Sequence, residues 1–250
     1  MRTFVIWDWD GTLADTYPVL NGAYAYTFKK LGMEDQTIPF DEVKRITSTL
    51  QNKDVLAAVF GEKKKQEASE YFYKYIEAKH AKQLKPIKGA YAAMEYLASQ
   101  RAISLLFSNK TNTDKDGRGK YLTEEAICLK MKRYFRRIVG AGEQSEDKPS
   151  PIAIDAFFQK VKPMPSSEDL ILVIGDGEAD LRVAEHLKTK QLNVSSILLD
   201  PKHKYKGQIK PNYIIHELNT LPIILQNEID GTAKQARQKM INSKTHKDGK

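Results

Sequence analysis

The chain alternates short apolar runs with longer stretches of mixed polarity. The runs are FVIW (4–7), ISLLF (103–107), RIVG (137–140), LILVIG (170–175), SSILL (195–199) and NYII (212–215). Most carry apolar side chains at both odd and even positions. A strand with one wet face would alternate instead, so these runs predict strands covered on both sides, as in a parallel sheet. Between them, apolar positions recur at helical spacing. Residues 89–100 place Tyr91, Met94, Tyr96, Leu97 and Ala98 mostly on one side, and residues 150–161 do the same with Ile152, Ile154, Ala156, Phe157, Phe158 and Val161. Residues 178–188 follow the same rule. Strand and helix in alternation predict an α/β domain built on a doubly wound parallel sheet.

Residues 17–86 break the alternation. They read as helices, VLNGAYAYTFKKLG, FDEVKRITS, NKDVLAAVF and EKKKQEASEYFYKYIEAKHAK, punctuated by Pro39 and Gly61 and closed by Pro86. This predicts a small helical domain inserted after the first strand, with the α/β core divided between 1–16 and 87–228. Tyr71, Phe72, Tyr73 and Tyr75 lie near helical spacing and are expected to pack rather than to bind. Residues 229–250 form a basic tail with few large apolar side chains, expected to be flexible.

Composition changes this picture little. The 250 residues are 41% hydrophobic and 29% charged, enough for a sizeable core. No apolar run has the length to cross a bilayer, and the opening stretch is too short for a secretory signal. The single cysteine, Cys128, excludes an internal disulfide and fits a reducing compartment; it is read as a packing thiol in a cytoplasmic protein. The net charge of +8 and pI of 9.2 are compatible with nucleic acid, an acidic membrane or a small anionic ligand. The positive charge gathers in KMKRYFRR (130–137) and in the tail, both read as solvated surface. No nucleic-acid motif or interleaved aromatics accompany them, so a basic nucleic-acid-associated module is the lesser alternative.

In an open parallel sheet, ligands bind where the strands end at their carboxyl side. The first run ends in Asp8-Trp9-Asp10-Gly11-Thr12, the second in Ser108-Asn109-Lys110, and the fourth in Gly175-Asp176-Gly177-Glu178-Ala179-Asp180. The loop SEDKPSP adds Lys148. Asp8 and Asp10 stand one residue apart, and two such carboxylates repel unless something positive holds them. Four acids with one lysine suit a hard cation such as Mg²⁺. The five histidines, His80, His186, His203, His216 and His246, show no zinc spacing, and no P-loop sequence is present. Trp7 and Trp9 point away from the acids by alternation and are expected in the core.

Taken together, DWDGT, SNK, DKPSP and GDGEAD resemble the motifs of the haloacid dehalogenase superfamily, in its phosphoglycolate phosphatase-like branch with a helical cap after the first motif. The resemblance spans about residues 3–228. It implies a Mg²⁺-dependent phosphatase acting on a small phosphate monoester through an aspartyl phosphate. Asp8 would be the nucleophile and Asp10 the general acid and base, with its backbone carbonyl a metal ligand. Thr12 would orient the acid, and Thr12, Ser108 and Asn109 would form the phosphate-binding set with Lys148, which bridges Asp8 and phosphate. Asp176 would ligate the metal directly, Asp180 directly or through water, while Gly175 and Gly177 would allow a tight turn. Asp10 with Thr12 favours ester hydrolysis over dehalogenation; a sugar phosphomutase is the alternative within the superfamily. Thr47, Ser48, Thr49, Gln51 and Lys53 would offer polar contacts in a substrate-facing cap loop, and Lys53 is a weak candidate for Schiff-base chemistry.

Overall fold

The computed structural model describes residues 1–39, 41–42, 46, 52–113, 121–143 and 145–231, without the side chains of residues 52–54 and 80–82. The strands are β1 (Thr3–Trp7), β2 (Ala14–Asp15), β3 (Lys85–Pro86), β4 (Ile103–Thr111), β5 (Phe135–Ala141), β6 (Leu170–Gly175), β7 (Asn193–Leu199) and β8 (Tyr213–Ile215). The helices are α1 (Tyr17–Lys30), α2 (Asn52–Phe60), α3 (Lys65–Gln83), α4 (Ala90–Ser99), α5 (Tyr121–Cys128), α6 (Pro151–Gln159), α7 (Glu178–Thr189) and α8 (221–231).

Each apolar run becomes a strand of one six-stranded sheet, in the order β5-β4-β1-β6-β7-β8. Every pairing in it is parallel. The two parities of β1 serve two cores. Val5 and Trp7 pack with α4, α5 and α8 through Met94, Leu97, Leu122, Ala126 and Leu225. Phe4 and Ile6 pack with α6 and α7 through Ile154, Phe157, Val183 and Leu187. Burial on both faces is what the unbroken apolar runs encode.

The helical faces differ in detail from the sequence reading. On α4 the buried positions are Ala90, Ala93, Met94 and Leu97, with Tyr91 and Ala98 exposed. On α6 they are Ala153, Ile154, Phe157 and Phe158, and Ile152 is exposed. Cys128 is exposed rather than packed, because α5 turns its Leu122–Glu125–Ala126–Leu129 face inward.

Between β2 and β3 the chain forms α1, α2 and α3 around a cluster of their own, built on Val19, Tyr24, Phe28, Phe60, Phe72 and Ile76. Phe72, Tyr73 and Tyr75 belong to this packing, as expected. Tyr73 also stacks on Tyr121 of α5, at 6.1 Å between centroids and 7° between planes, and Tyr121 donates to Glu77 at 3.0 Å. The sequence reading found no strand in this region. The structure adds a short one: the two crossing segments pair antiparallel, Ala14 with Pro86 and Asp15 with Lys85. A two-residue ribbon has no periodicity to read. Residues 47–51 of the expected substrate-facing loop, most of FDEVKRITS, and the tail from 232 lie outside the described residues. Residues 229–231 continue α8. No helix of the described residues is long and apolar enough to cross a membrane.

The register of β1 on β6 is fixed at its amino end by Arg2 and Asp169. Arg2 donates from its backbone to Asp169 Oδ1 at 2.8 Å and from Nη2 to Oδ2 at 2.5 Å, while Ser166 N–H reaches Oδ2 at 2.9 Å. The Arg2 hydrogen bond, assisted by those from Ser166, holds the Asp169 carboxyl well below the usual carboxylate range. A depressed folded-state pKa stabilises above the unfolded value of about 3.9 and is lost as pH falls below it. Asp169→Asn is therefore expected to lower the melting temperature at pH 7 by a few degrees, with the gap closing below about pH 3. Thermal melts at the two pH values check this.

Candidate active site

The sheet register brings the acids together. Trp7, the last residue of β1, pairs with Leu106 of β4 and Ile174 of β6. Asp8 continues one step further, its N–H bonded to Ile174 O at 2.9 Å. Asp8 and Asp176 thus leave neighbouring strands at nearly the same level, while Ser108, expected just past its strand, lies within β4, which runs on to Thr111. Carboxylate oxygens of Asp8, Asp176 and Asp180 lie within 4.8 Å of one another.

One buried ammonium holds this group. Lys148 Nζ lies 2.8 Å from Asp8 Oδ1 and 2.6 Å from Asp180 Oδ1. Burial opposes its charge, but Asp180 and Asp8 outweigh that and raise its pKa above the ordinary lysine value. Phe107 lies beneath it, with Nζ 5.6 Å from the ring centroid. Asn109 Nδ2 donates to Lys148 O at 2.7 Å and so fixes the lysine's backbone. Burial pushes Asp8 up to about 7, with Lys148 opposing and the charges of Asp180 and Asp176 adding. One lysine does not balance three acids, and the surplus of oxygen donors fits a hard divalent cation.

Two glycines make room for this crowding. Gly11 has a φ of 79°, and a Cβ there would stand 2.3 Å from Asp176 Oδ2. At Gly175 a Cβ would stand 2.1 Å from the Asp180 carboxyl. The reason for Gly175 is close approach, not the tight turn expected from sequence. Gly177 is the extended N-cap of α7, at φ −137°, and its N–H reaches Asp180 Oδ2 at 3.3 Å.

Asp10 belongs to a different group. Its Oδ1 is 2.8 Å from Lys110 Nζ, which is also 2.8 Å from Glu125 Oε1. The indole N–H of Trp9 donates to Glu125 Oε2. Asp8 and Asp10 are separated by one residue in sequence, yet each has its own lysine.

The chain matches the family model for haloacid dehalogenase-like hydrolases over residues 5–194. It belongs to that family. It is similar to the phosphoglycolate phosphatase of Aquifex aeolicus (strain VF5), at 25% identity over 226 residues, 90% of this chain and 97% of that protein. Among solved structures it is similar in fold to a haloacid dehalogenase-like hydrolase from Streptococcus pneumoniae, with a TM-score of 0.70 and 19% identity over 90% of this chain and 98% of that one. YfnB from Bacillus subtilis, assigned to the HAD hydrolases and solved bound to magnesium, gives a TM-score of 0.65 and 18% identity over 90% of this chain and 98% of that one.

Within this haloacid dehalogenase-like hydrolase, Asp8, Asp10, Thr12, Ser108, Asn109, Asp176 and Asp180 are found toward the carboxyl ends of β1, β4 and β6, with Lys148 on the loop before α6. Asp8, Asp176, Asp180 and Lys148 form one cluster, with Thr12, Ser108 and Asn109 around it. Thr12 is fully buried and donates to Asp8 Oδ2 at 3.4 Å. Ser108 is buried, its Oγ accepting from Lys110 N–H at 3.2 Å. Trp7 and Trp9 are fully buried, as expected. Residue 53 lies in α2.

Sequence reasoning missed two partners. Tyr17, the first residue of α1, places its hydroxyl 2.5 Å from Asp176 Oδ2. Burial and the Asp176 charge hold its pKa well above the ordinary tyrosine value, so it remains a donor. Nothing in its neighbours announced this. Glu125 did leave a signal, an acid on the same helical face as Leu122, Ala126 and Leu129.

Lys148→Met would leave buried carboxylates unpaired. At pH 8 the loss of stability is expected to be about 3–5 kcal/mol. Asp8, already raised by burial, then loses the cation that opposes the shift, so stability falls as pH rises through its raised value. Urea unfolding should therefore show a smaller deficit at pH 5.5 than at pH 8.

Proposed function

We propose that the protein is a magnesium-dependent phosphatase that hydrolyses a small phosphate monoester, of the phosphoglycolate type, through an aspartyl phosphate on Asp8. The observation that carries this reading is the pairing of two acids with two lysines: Asp8 with Lys148, and Asp10 with Lys110. A dehalogenase has no leaving oxygen to protonate and no use for the second pair.

Asp8 Oδ attacks phosphorus in line. As the new P–O bond forms, the ester P–O bond breaks and its electron pair stays on the leaving oxygen, which takes a proton from Asp10. Water then attacks the phosphorus of the aspartyl phosphate, giving its proton to the Asp10 carboxylate. The Asp8–phosphoryl bond breaks, and inorganic phosphate and free Asp8 result. Lys148, already beside Asp8, sets fixed positive charge against the incoming phosphoryl oxygens. Thr12 keeps the nucleophile's second oxygen in place. Ser108 is the hydroxyl assigned to a phosphoryl oxygen, and Asn109 positions Lys148 through its backbone. Mg²⁺, when bound, would be held by Asp8, Asp176 and Asp180 with the Asp10 backbone carbonyl, and would neutralise phosphoryl charge.

The helices between β2 and β3 act in this reading as a cap whose two connections run together in the ribbon. Closing it over the strand ends would exclude water from the first half-reaction.

The test is phosphate release from a panel of small phosphate esters with and without Mg²⁺. Release should require the cation and fall at least about 10³-fold in Asp8→Asn. Undiminished turnover in that variant would overturn the assignment of the nucleophile.

A further inference from the structure

Glu125 has no direct part in the chemistry just described. It is fully buried and cannot touch a substrate. A buried carboxylate is destabilising by several kcal/mol unless it is paired and hydrogen-bonded, so its place on the inner face of α5 calls for an explanation. Its two oxygens provide one. Oε2 accepts from the Trp9 indole, and Oε1 lies 2.8 Å from Lys110 Nζ. Lys110 Nζ in turn lies 2.8 Å from Asp10 Oδ1. Trp9 and Asp10 are consecutive residues. The contacts therefore close a ring: peptide bond from Trp9 to Asp10, Asp10 to Lys110, Lys110 to Glu125, Glu125 back to Trp9.

The geometry matters because Asp10 lies beyond the end of β1: its backbone is held by a bridge to Ala14 and by the Trp9 carbonyl, which accepts from Thr12, Leu13 and Ala14, but these contacts leave its carboxyl to be placed by side-chain partners. Its side chain is a quarter exposed, so a free carboxyl would swing between rotamers. The ring holds the Trp9–Asp10 step from both sides, through the indole on the core side and the carboxyl on the crevice side. Only Oδ1 of Asp10 is engaged among the described residues, which leaves Oδ2 for the leaving oxygen. Lys110 alone could not do this. A flexible ammonium bound only to Asp10 would move with it, whereas one anchored to a buried acid on a helix cannot.

We infer that Glu125 is a positioning residue for the reaction, fixing the general acid Asp10 through Lys110 and Trp9. The inference rests on the phosphatase reading for the part played by Asp10, and on the contacts alone for the ring. It extends the site to α5, which carries no motif residue.

The test compares two substrates on the wild type and Glu125→Gln. The amide keeps the size and one acceptor but turns a donor toward Lys110 or Trp9. An alkyl phosphate needs its leaving oxygen protonated; p-nitrophenyl phosphate does not. In Glu125→Gln, kcat for the alkyl ester is expected to fall at least about tenfold and for the aryl ester less than about threefold, with KM within about twofold for both. Loss of general structure would slow both equally, and that result, or no loss on either, would overturn the inference. Combined with Asp10→Asn, the substrate bias of Glu125→Gln should disappear. Should Glu125→Gln fail to fold, Trp9→Phe removes one contact of the ring and is expected to show the same bias, about threefold. A crystal structure of whichever variant folds supplies a readout free of turnover: the Asp10 carboxyl should leave its wild-type place, and an unmoved Asp10 overturns the inference. Failure of the phosphatase reading looks different, with wild type releasing no phosphate from either ester.

Discussion

A single ammonium group inside a cluster of carboxylates makes the rest of this site possible. The sheet delivers Asp8 and Asp176 to one level because β1 and β6 run parallel and in register. That delivery is electrostatically unfavourable, and burial worsens it, as the upward shift of Asp8 to about 7 records. Lys148 opposes the shift from the loop before α6, a separate part of the chain. Its own placement is secured on two sides, by Asn109 on its carbonyl and by Phe107 under its charge. The strand ends can gather acids only because the neighbouring strand end holds the cation that tolerates them.

The same logic is repeated two residues on, with different parts. Asp10 has Lys110, and Lys110 has Glu125. Two acids served by one lysine would share its field and exchange protons as a pair. Separate lysines, one bonded also to Asp180 and the other to Glu125, keep the two carboxyls in distinct surroundings. That is what a reaction needs when one carboxylate must attack and its neighbour must carry a proton.

The features legible in sequence were those with a repeat or a fixed spacing. Strands buried on both faces print unbroken apolar runs, as β1, β6 and β7 do, and the edge strands β5 and β8 were recognisable from shorter ones although each has an exposed position. The motif acids were legible because strand-end carboxylates beside glycines are hard to account for otherwise. Contacts between distant parts of the chain were not. The ribbon of β2 and β3 is two residues long, and Tyr17 bonds to a residue far along the chain. Glu125 lay in a segment whose charge hid its helical face, and the same difficulty made exposed Cys128 look like a packed thiol. Gly175 was recognised as necessary but for the wrong reason, since only the folded chain shows the Asp180 carboxyl pressed against it. The basic run 130–137 is only partly the solvated surface expected, since Met131 is fully buried and Arg137 half-buried. Lys132, Arg133 and Arg136 are exposed, near the amino end of β5 and away from the acids.

Tyr17 joins the two halves of the molecule more closely than the connectivity requires. It is the first residue of α1 and follows directly on the ribbon through which the chain leaves the sheet. Its hydroxyl is bonded to Asp176, whose carboxyl also fills the space over Gly11. The first turn of α1 therefore cannot shift without either breaking that bond or drawing Asp176 with it. Elsewhere the helical segment meets the sheet domain through contacts that can slide, such as the Tyr73–Tyr121 stack, or that water competes for, such as the exposed Lys204–Asp41 pair. The firm attachment is at the root and the loose ones are at the periphery. Among the described residues, the attachment that touches the acid cluster is therefore the one at the root of α1.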